Sequence, residues 1–162
     1  MTTEIISEAD LDRPTMRRKH VTVSNDASTR SIIDAGEFGV FVTDEPAAHG
    51  GQGSGPSPLQ AVLGSLCGCE SVTFSRTAEE LDFAYEGIDF EAAFTIDIRG
   101  RKGDRSVRPH FQTVRVQATV TTSEPEERLR EVVEETEARC PVYNLVKDAG
   151  VDIQTTWVHR TG

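Results

Sequence analysis

The chain carries three thiols, Cys67, Cys69 and Cys140. Their types and spacing limit the chemistry open to them. Cys67-Gly68-Cys69 lacks the two-residue gap of common zinc-binding pairs, and His49, His110 and His159 are scattered, so a zinc module is a distant third reading. An odd number of cysteines argues against a disulfide framework. On a helix, Cys67 and Cys69 point about 160° apart and cannot pair with one another. Only one of them can face a given partner such as Cys140. That third thiol stands just before Pro141, where a new helix can begin. Unsatisfied backbone N–H groups and the positive dipole end favour a thiolate there, so its pKa is expected to be lowered. A thiol on a buried helix and a second at a distant helix start suit a dithiol peroxidase. One thiolate attacks a peroxide oxygen and the other resolves the sulfenic acid. Spacing alone leaves open three packed thiols acting as small buried hydrophobes.

Several elements must position these thiols. Ser57-Pro58-Leu59-Gln60 reads as a helix start, with Ser57 as N-cap, Pro58 at the first helical position and Gln60 closing a capping box. No proline interrupts the chain before Glu80, which predicts a helix of roughly 34 Å. Leu59, Val62, Leu63, Leu66, Thr73 and Phe74 recur at helical steps, and Ala61, Gly64, Ser65 and Gly68 keep the remainder small. Such a helix is expected to be buried on most sides and to sit centrally. Glu70 follows Cys69 and is expected on another face.

Three short β-type runs precede the helix, at 21–24, 30–33 and 40–43, and read as an antiparallel meander. The Gly- and Pro-rich loop from Asp44 to Pro56 lacks a P-loop lysine and is expected to let backbone approach a pocket. After the helix, apolar residues alternate from Phe90 to Ile98 and from Phe111 to Thr122, the latter with Val114, Val116, Ala118 and Val120 on one face. Gly100 to His110 reads as a charged loop. Ser123-Glu124-Pro125-Glu126 predicts a capping box and a helix to about Arg139. Cys140 then caps a short helix, and residues 151–158 form a last strand. Residues 1–19 read as a flexible N-terminal arm and residues 20–162 as a single domain.

Composition sets the outer bounds. The chain has 162 residues, 27 acidic against 17 basic, for a net charge of −10. Such a surface repels phosphate backbones and anionic lipid, so neither nucleic acid nor a membrane is an expected partner. The N-terminus has no basic and apolar leader, and no run is long enough to span a bilayer, so a cytoplasmic location is expected. With 36% hydrophobic residues the core is modest. A central helix apolar on so many sides needs more cover than one chain supplies, which predicts a homodimer.

The run Gly55-Pro56-Ser57-Pro58-Leu59-Gln60-Ala61-Val62-Leu63-Gly64-Ser65-Leu66-Cys67-Gly68-Cys69 resembles the G-P-x-P-x-E-x-L-L-x-A-L-x-x-C signature of the OsmC/Ohr family. These are the osmotically inducible and organic hydroperoxide resistance proteins. Asp44-Glu45-Pro46 with Gly50-Gly51, Val107-Arg108-Pro109-His110-Phe111 and Cys140-Pro141-Val142-Tyr143-Asn144 resemble further family segments, and the likeness covers roughly residues 20–158. It implies an α+β fold in which antiparallel sheets wrap two central helices of an intertwined homodimer, with sites at the dimer interface. It implies reduction of organic hydroperoxides or hydrogen peroxide without metal or organic cofactor, supported by an external dithiol reductant. Cys69 aligns with the reactive cysteine and Cys140 with the resolving one; Cys67 is at no family position. The family pairs a glutamate at the helix start with an arginine from the N-terminal strands. Here the glutamate positions hold Leu59 and Gln60, and Arg30 is the arginine of the early strands. The alternative is a non-catalytic relative that binds a small hydrophobic ligand in the interhelical pocket.

Overall fold

The structure, a computed structural model, describes residues 16–162. Residues 1–15 of the expected N-terminal arm lie outside the described residues. The backbone groups into two units, Met1–Pro58 and Leu59–Gly162.

The first unit is the expected meander. Strands β1 (Thr22–Asn25), β2 (Ser31–Asp34) and β3 (Val40–Thr43) form one antiparallel sheet in that order. Short polar side chains shape the turn between β1 and β2. Asn25 Oδ1 accepts from the Ala27 amide at 2.8 Å, and Asn25 Nδ2 donates to the Arg30 carbonyl at 2.7 Å. These local bonds substitute for the missing ladder partners.

The loop after β3 folds on itself around Asp44. Its carboxylate accepts from Thr29 Oγ1 at 2.7 Å, Ser54 Oγ at 2.8 Å, and the amides of Glu45, Gln52 and Ser54 at 2.8, 3.2 and 3.1 Å. Two glycines allow this closure. A Cβ at Gly51 would fall 1.7 Å from the Glu45 carbonyl oxygen, and one at Gly55 would fall 2.4 Å from that of Val42. The close backbone approach expected here is therefore to the loop's own neighbours rather than to a pocket.

Helix α1 (Pro58–Glu80) leads into the second unit, with the bounds the proline and the hydrophobic stripe predict. Its buried face is Leu63, Leu66, Glu70, Phe74, Thr77 and Ala78. Within this one chain only that face is covered, and Val62 and Val72 are about half exposed, at 46% and 52%.

A second sheet has the order β4-β5-β6, from β4 (Gly87–Ile96), β5 (Phe111–Thr121) and β6 (Asp152–Arg160). Strands β4 and β5 are antiparallel, while β6 returns parallel to β5. A parallel return needs a crossover. Helices α3 (Glu126–Arg139) and α4 (Pro141–Asp148) supply it. Val114, Val116, Ala118 and Val120 are all buried, as their alternation predicts. Ile98 is not in the strand. It opens a one-turn helix, α2 (Ile98–Arg101), capped by Asp97, and is exposed.

The predicted capping box at Ser123–Glu126 does not form. Pro125 occupies the N-cap of α3 without a side-chain bond. Glu124 instead accepts from the Ala84 amide at 3.2 Å.

The core divides in two. Leu63, Leu66, Phe111, Val114, Val116, Val146 and Val151 form one cluster. Phe74, Ala78, Phe83, Val120, Leu129 and Val132 form the other. Phe74 stacks on Trp157 with ring centres 5.5 Å apart. Each fully buried aliphatic side chain contributes roughly 1.5–3 kcal/mol, so these clusters fix α1 on the sheet.

Candidate active site

Cys140 sits at a corner. It ends α3, donating its amide to the Thr136 carbonyl at 2.9 Å, and it is the N-cap of α4 with Pro141 behind it. Asn144 braces the corner. Its Nδ2 donates to the carbonyls of Cys140 and Glu137, both at 2.9 Å. The thiol is 0% exposed.

Cys69 projects from α1 beside this corner and is half-buried. Cys69 and the Tyr143 amide both act on the Cys140 thiol, the first raising its pKa and the second lowering it. The structure thus brings together the two cysteines singled out from the sequence. All three thiols are free, and Cys67 packs against the first core cluster.

The lowered pKa expected of Cys140 is corrected. Burial pushes it up to about 11, and the charges of Cys69 and Glu70 push the same way. The Tyr143 amide opposes, as a helix start should, but desolvation wins. Cys67 is also raised, by burial first and by Glu70 second.

Glu70 was missed as a member of this site. Its carboxyl is 0% exposed, and neither oxygen has a hydrogen-bond partner. Burial, then the charge of Glu137, raises its pKa to about 7. On the buried face of α1, a different face from that of Cys69 as expected, it acts electrostatically on Cys67, Cys140 and Tyr143. The signal was available: position 70 continues the stripe of Leu63 and Leu66 towards Phe74 at steps of three and four.

Glu137 of α3 is half-buried and faces the same region. It accepts from Trp157 Nε1 at 2.9 Å and from the Tyr143 hydroxyl at 3.4 Å. Burial, then Glu137 and Glu70, raises the Tyr143 pKa.

The other two expected residues lie elsewhere. Gln60 is exposed in the first turn of α1. Nine helical residues separate it from Cys69, about 13.5 Å along the axis and half a turn around it. One copy of α1 does not bring the two together. Arg30 belongs to the first unit, just before β2, where its amide donates to Ser28 Oγ at 3.1 Å.

An apolar hollow of about 250 Å³ lies at the α1 start, between Leu59, Val62, Phe111, Leu145, Val146 and Val151. Among the described residues no group of three or more His, Cys, Asp or Glu is placed to hold a metal ion. No described helix is long and apolar enough to cross a membrane.

Residues 51–156 match the family model described as OsmC-like protein. No curated protein matches the chain in sequence. Solved structures share its fold. An OsmC-like protein from Mycoplasma pneumoniae is 16% identical with a TM-score of 0.74, covering 88% of this chain and 99% of that one. An organic hydroperoxide resistance protein OsmC from Legionella pneumophila is 12% identical with a TM-score of 0.63, covering 88% and 98%. The organic hydroperoxide resistance protein OhrB of Bacillus subtilis is 19% identical with a TM-score of 0.59, covering 87% and 98%.

Proposed function

The chain belongs to the OsmC-like protein family, and from that premise we propose that it is a thiol-dependent peroxidase acting on organic hydroperoxides or hydrogen peroxide. The observation that carries this reading is the pairing of a half-buried Cys69 with a fully buried Cys140 on which it acts. Their exposures support a division of labour. Cys69 is open enough for a peroxide to reach, while Cys140 is sealed and held protonated. The Cys69 thiolate attacks one peroxide oxygen, the O–O bond breaks, and the alcohol or water leaves with a proton. Cys69 becomes a sulfenic acid. Cys140 then displaces its hydroxyl as water, and a disulfide forms. An external dithiol reduces that disulfide and completes the cycle in a reducing cytoplasm.

A homodimer is part of this proposal. The open face of α1 needs cover, and a second copy could bring a Gln60 towards Cys69 where one copy does not. Gln60, with Arg30, would orient the reacting groups. An amide fixes geometry without charge, so Gln60→Glu should raise the oxidation rate, by up to the roughly 10²–10³ that one oriented contact is worth. A gain that survives Arg30→Ala would remove Arg30 from the site.

The test is consumption of an organic hydroperoxide in the presence of a dithiol, with wild type and Cys69→Ser. Activity abolished by Cys69→Ser, and a Cys69–Cys140 disulfide that leaves Cys67 free, are the expected results. Equal consumption by both proteins would overturn the reading. One observation favours a second: the hollow by Leu59 and Leu145, apolar but for His110 in its wall, suits a small hydrophobic ligand in a non-catalytic protein. Saturable binding of such a ligand, without peroxide turnover, would establish that alternative.

A further inference from the structure

Glu70 presents a physical problem. Its neighbours on the buried face of α1 are Leu63, Leu66 and Phe74, and an apolar side chain would suit the position. A carboxyl there has lost its water and gained no hydrogen bond in return. Isolated buried charges of this kind are strongly destabilising. Groups acting on it or feeling its charge include Cys67 on its own helix, Glu137 on α3, Cys140 at the corner and Tyr143 on α4. Two of these lead outward. Tyr143 donates to Glu137, which is half-exposed and also holds Trp157.

The resolving step has an unmet need at this place. Cys140 is buried and held protonated, with Cys69 acting on it. To attack the oxidised sulfur it must lose its proton, and the departing hydroxyl must gain one.

We infer that Glu70 is the general base and acid of disulfide closure, an assignment that rests on the peroxidase reading above. Its carboxylate takes the proton of Cys140, directly or through one water, as the Cys140 sulfur bonds to Cys69. The S–O bond of the sulfenic acid breaks, and the same carboxyl returns the proton to the leaving hydroxide, which departs as water. One sulfur is oxidised and the other reduced by the same amount, and Glu70 ends as it began. The charge of the half-exposed Glu137, to which Tyr143 donates, raises the affinity of Glu70 for its proton. An ionisation poised near neutrality suits a group that must do both jobs.

The experiment separates the two chemical steps. Reduced protein is mixed with cumene hydroperoxide. Sulfenic acid at Cys69 is trapped with dimedone, and the Cys69–Cys140 disulfide is quantified by peptide mapping, both against time. Glu70→Gln is expected to slow closure roughly 10²-fold more than it slows sulfenic acid formation, so that the dimedone adduct accumulates. Glu70→Asp should recover part of the loss. In wild type the closure rate should rise with pH through about 7, as the base loses its proton, and Glu70→Gln should lack that rise. Closure in Glu70→Gln within threefold of wild type would overturn the assignment and leave the peroxidase reading intact. So would a wild-type closure rate flat between pH 6 and 8, a result that does not depend on any variant folding. A wild type that yields neither adduct nor disulfide would overturn the peroxidase reading, and this assignment with it.

Discussion

Asp44 and Glu70 are both shielded from solvent, yet Asp44 accepts five hydrogen bonds and Glu70 none. Asp44 is wrapped by its own loop, with amides and hydroxyls aimed at it. The Thr29 hydroxyl first, then the Ser54 amide, hold its carboxyl well below the usual carboxylate range. Glu70 is enclosed by the hydrophobic face of a long helix, and burial drives it the opposite way. Fold position, more than residue type, decides which protonation state a buried acid prefers. The first acid stabilises a loop as an anion. The second destabilises the protein as an anion and is therefore available for proton exchange.

The comparison breaks most easily at Asp44. Asp44→Ala removes the acceptor shared by the amides of Glu45, Gln52 and Ser54. Hydrogen exchange should show their protection falling by ~10²-fold. Unchanged protection would mean that the glycine-dependent backbone closure alone holds the loop.

The next effect is a pH dependence of opposite sign at the two sites. Glu70 binds its proton more tightly folded than unfolded, so stability falls as pH rises from its ordinary 4.5 through about 7. That difference is worth ~3 kcal/mol. Asp44 binds its proton less tightly when folded, so its contribution is present above the ordinary 3.8 and lost as pH falls below it. Urea unfolding from pH 3 to 8 should show both limbs. Glu70→Met should flatten the upper limb and stabilise the protein at pH 8, while leaving the acid limb in place. An upper limb that persists in Glu70→Met would assign the slope to another group.

The smallest effect sharpens the count of donors. Thr29→Val removes one of the five partners of Asp44. Protection at Gln52 and Ser54 should fall by less than tenfold. A loss as large as that of Asp44→Ala would make Thr29, rather than the set of donors, the anchor.

The elements were more legible in the sequence than the site's electrostatics. Pro58 and the stripe from Leu59 to Phe74 define α1, and the alternation from Val114 to Val120 defines the buried face of β5. The Cys140-Pro141 pair marks the corner between α3 and α4. These signals are local, and local chemistry decides them. The parallel return of β6 was not legible, because pairing across a crossover leaves no trace in the strand's own residues. Nor was the state of Cys140. Its helix position is read correctly and does favour a thiolate, but burial by distant segments outweighs it. Glu70 was hidden by its type, since glutamate on a helix is ordinarily solvated. Only its place in the stripe of Leu63, Leu66 and Phe74 marked it.

The adjacency of Cys69 and Cys140 also has a polymer-physical consequence. A bond between them would close a loop from residue 69 to residue 140 that contains β4, β5 and α3. Closing a loop of that length restricts the unfolded chain by ~4 kcal/mol at room temperature. By the thermodynamic cycle, the folded protein holds such a bond more tightly than the unfolded chain by the same amount. In electrochemical terms that is a potential about 90 mV more negative. A reductant able to open the bond must therefore overcome the chain topology as well as the sulfur chemistry. Each oxidation would leave the protein harder to unfold than its reduced form.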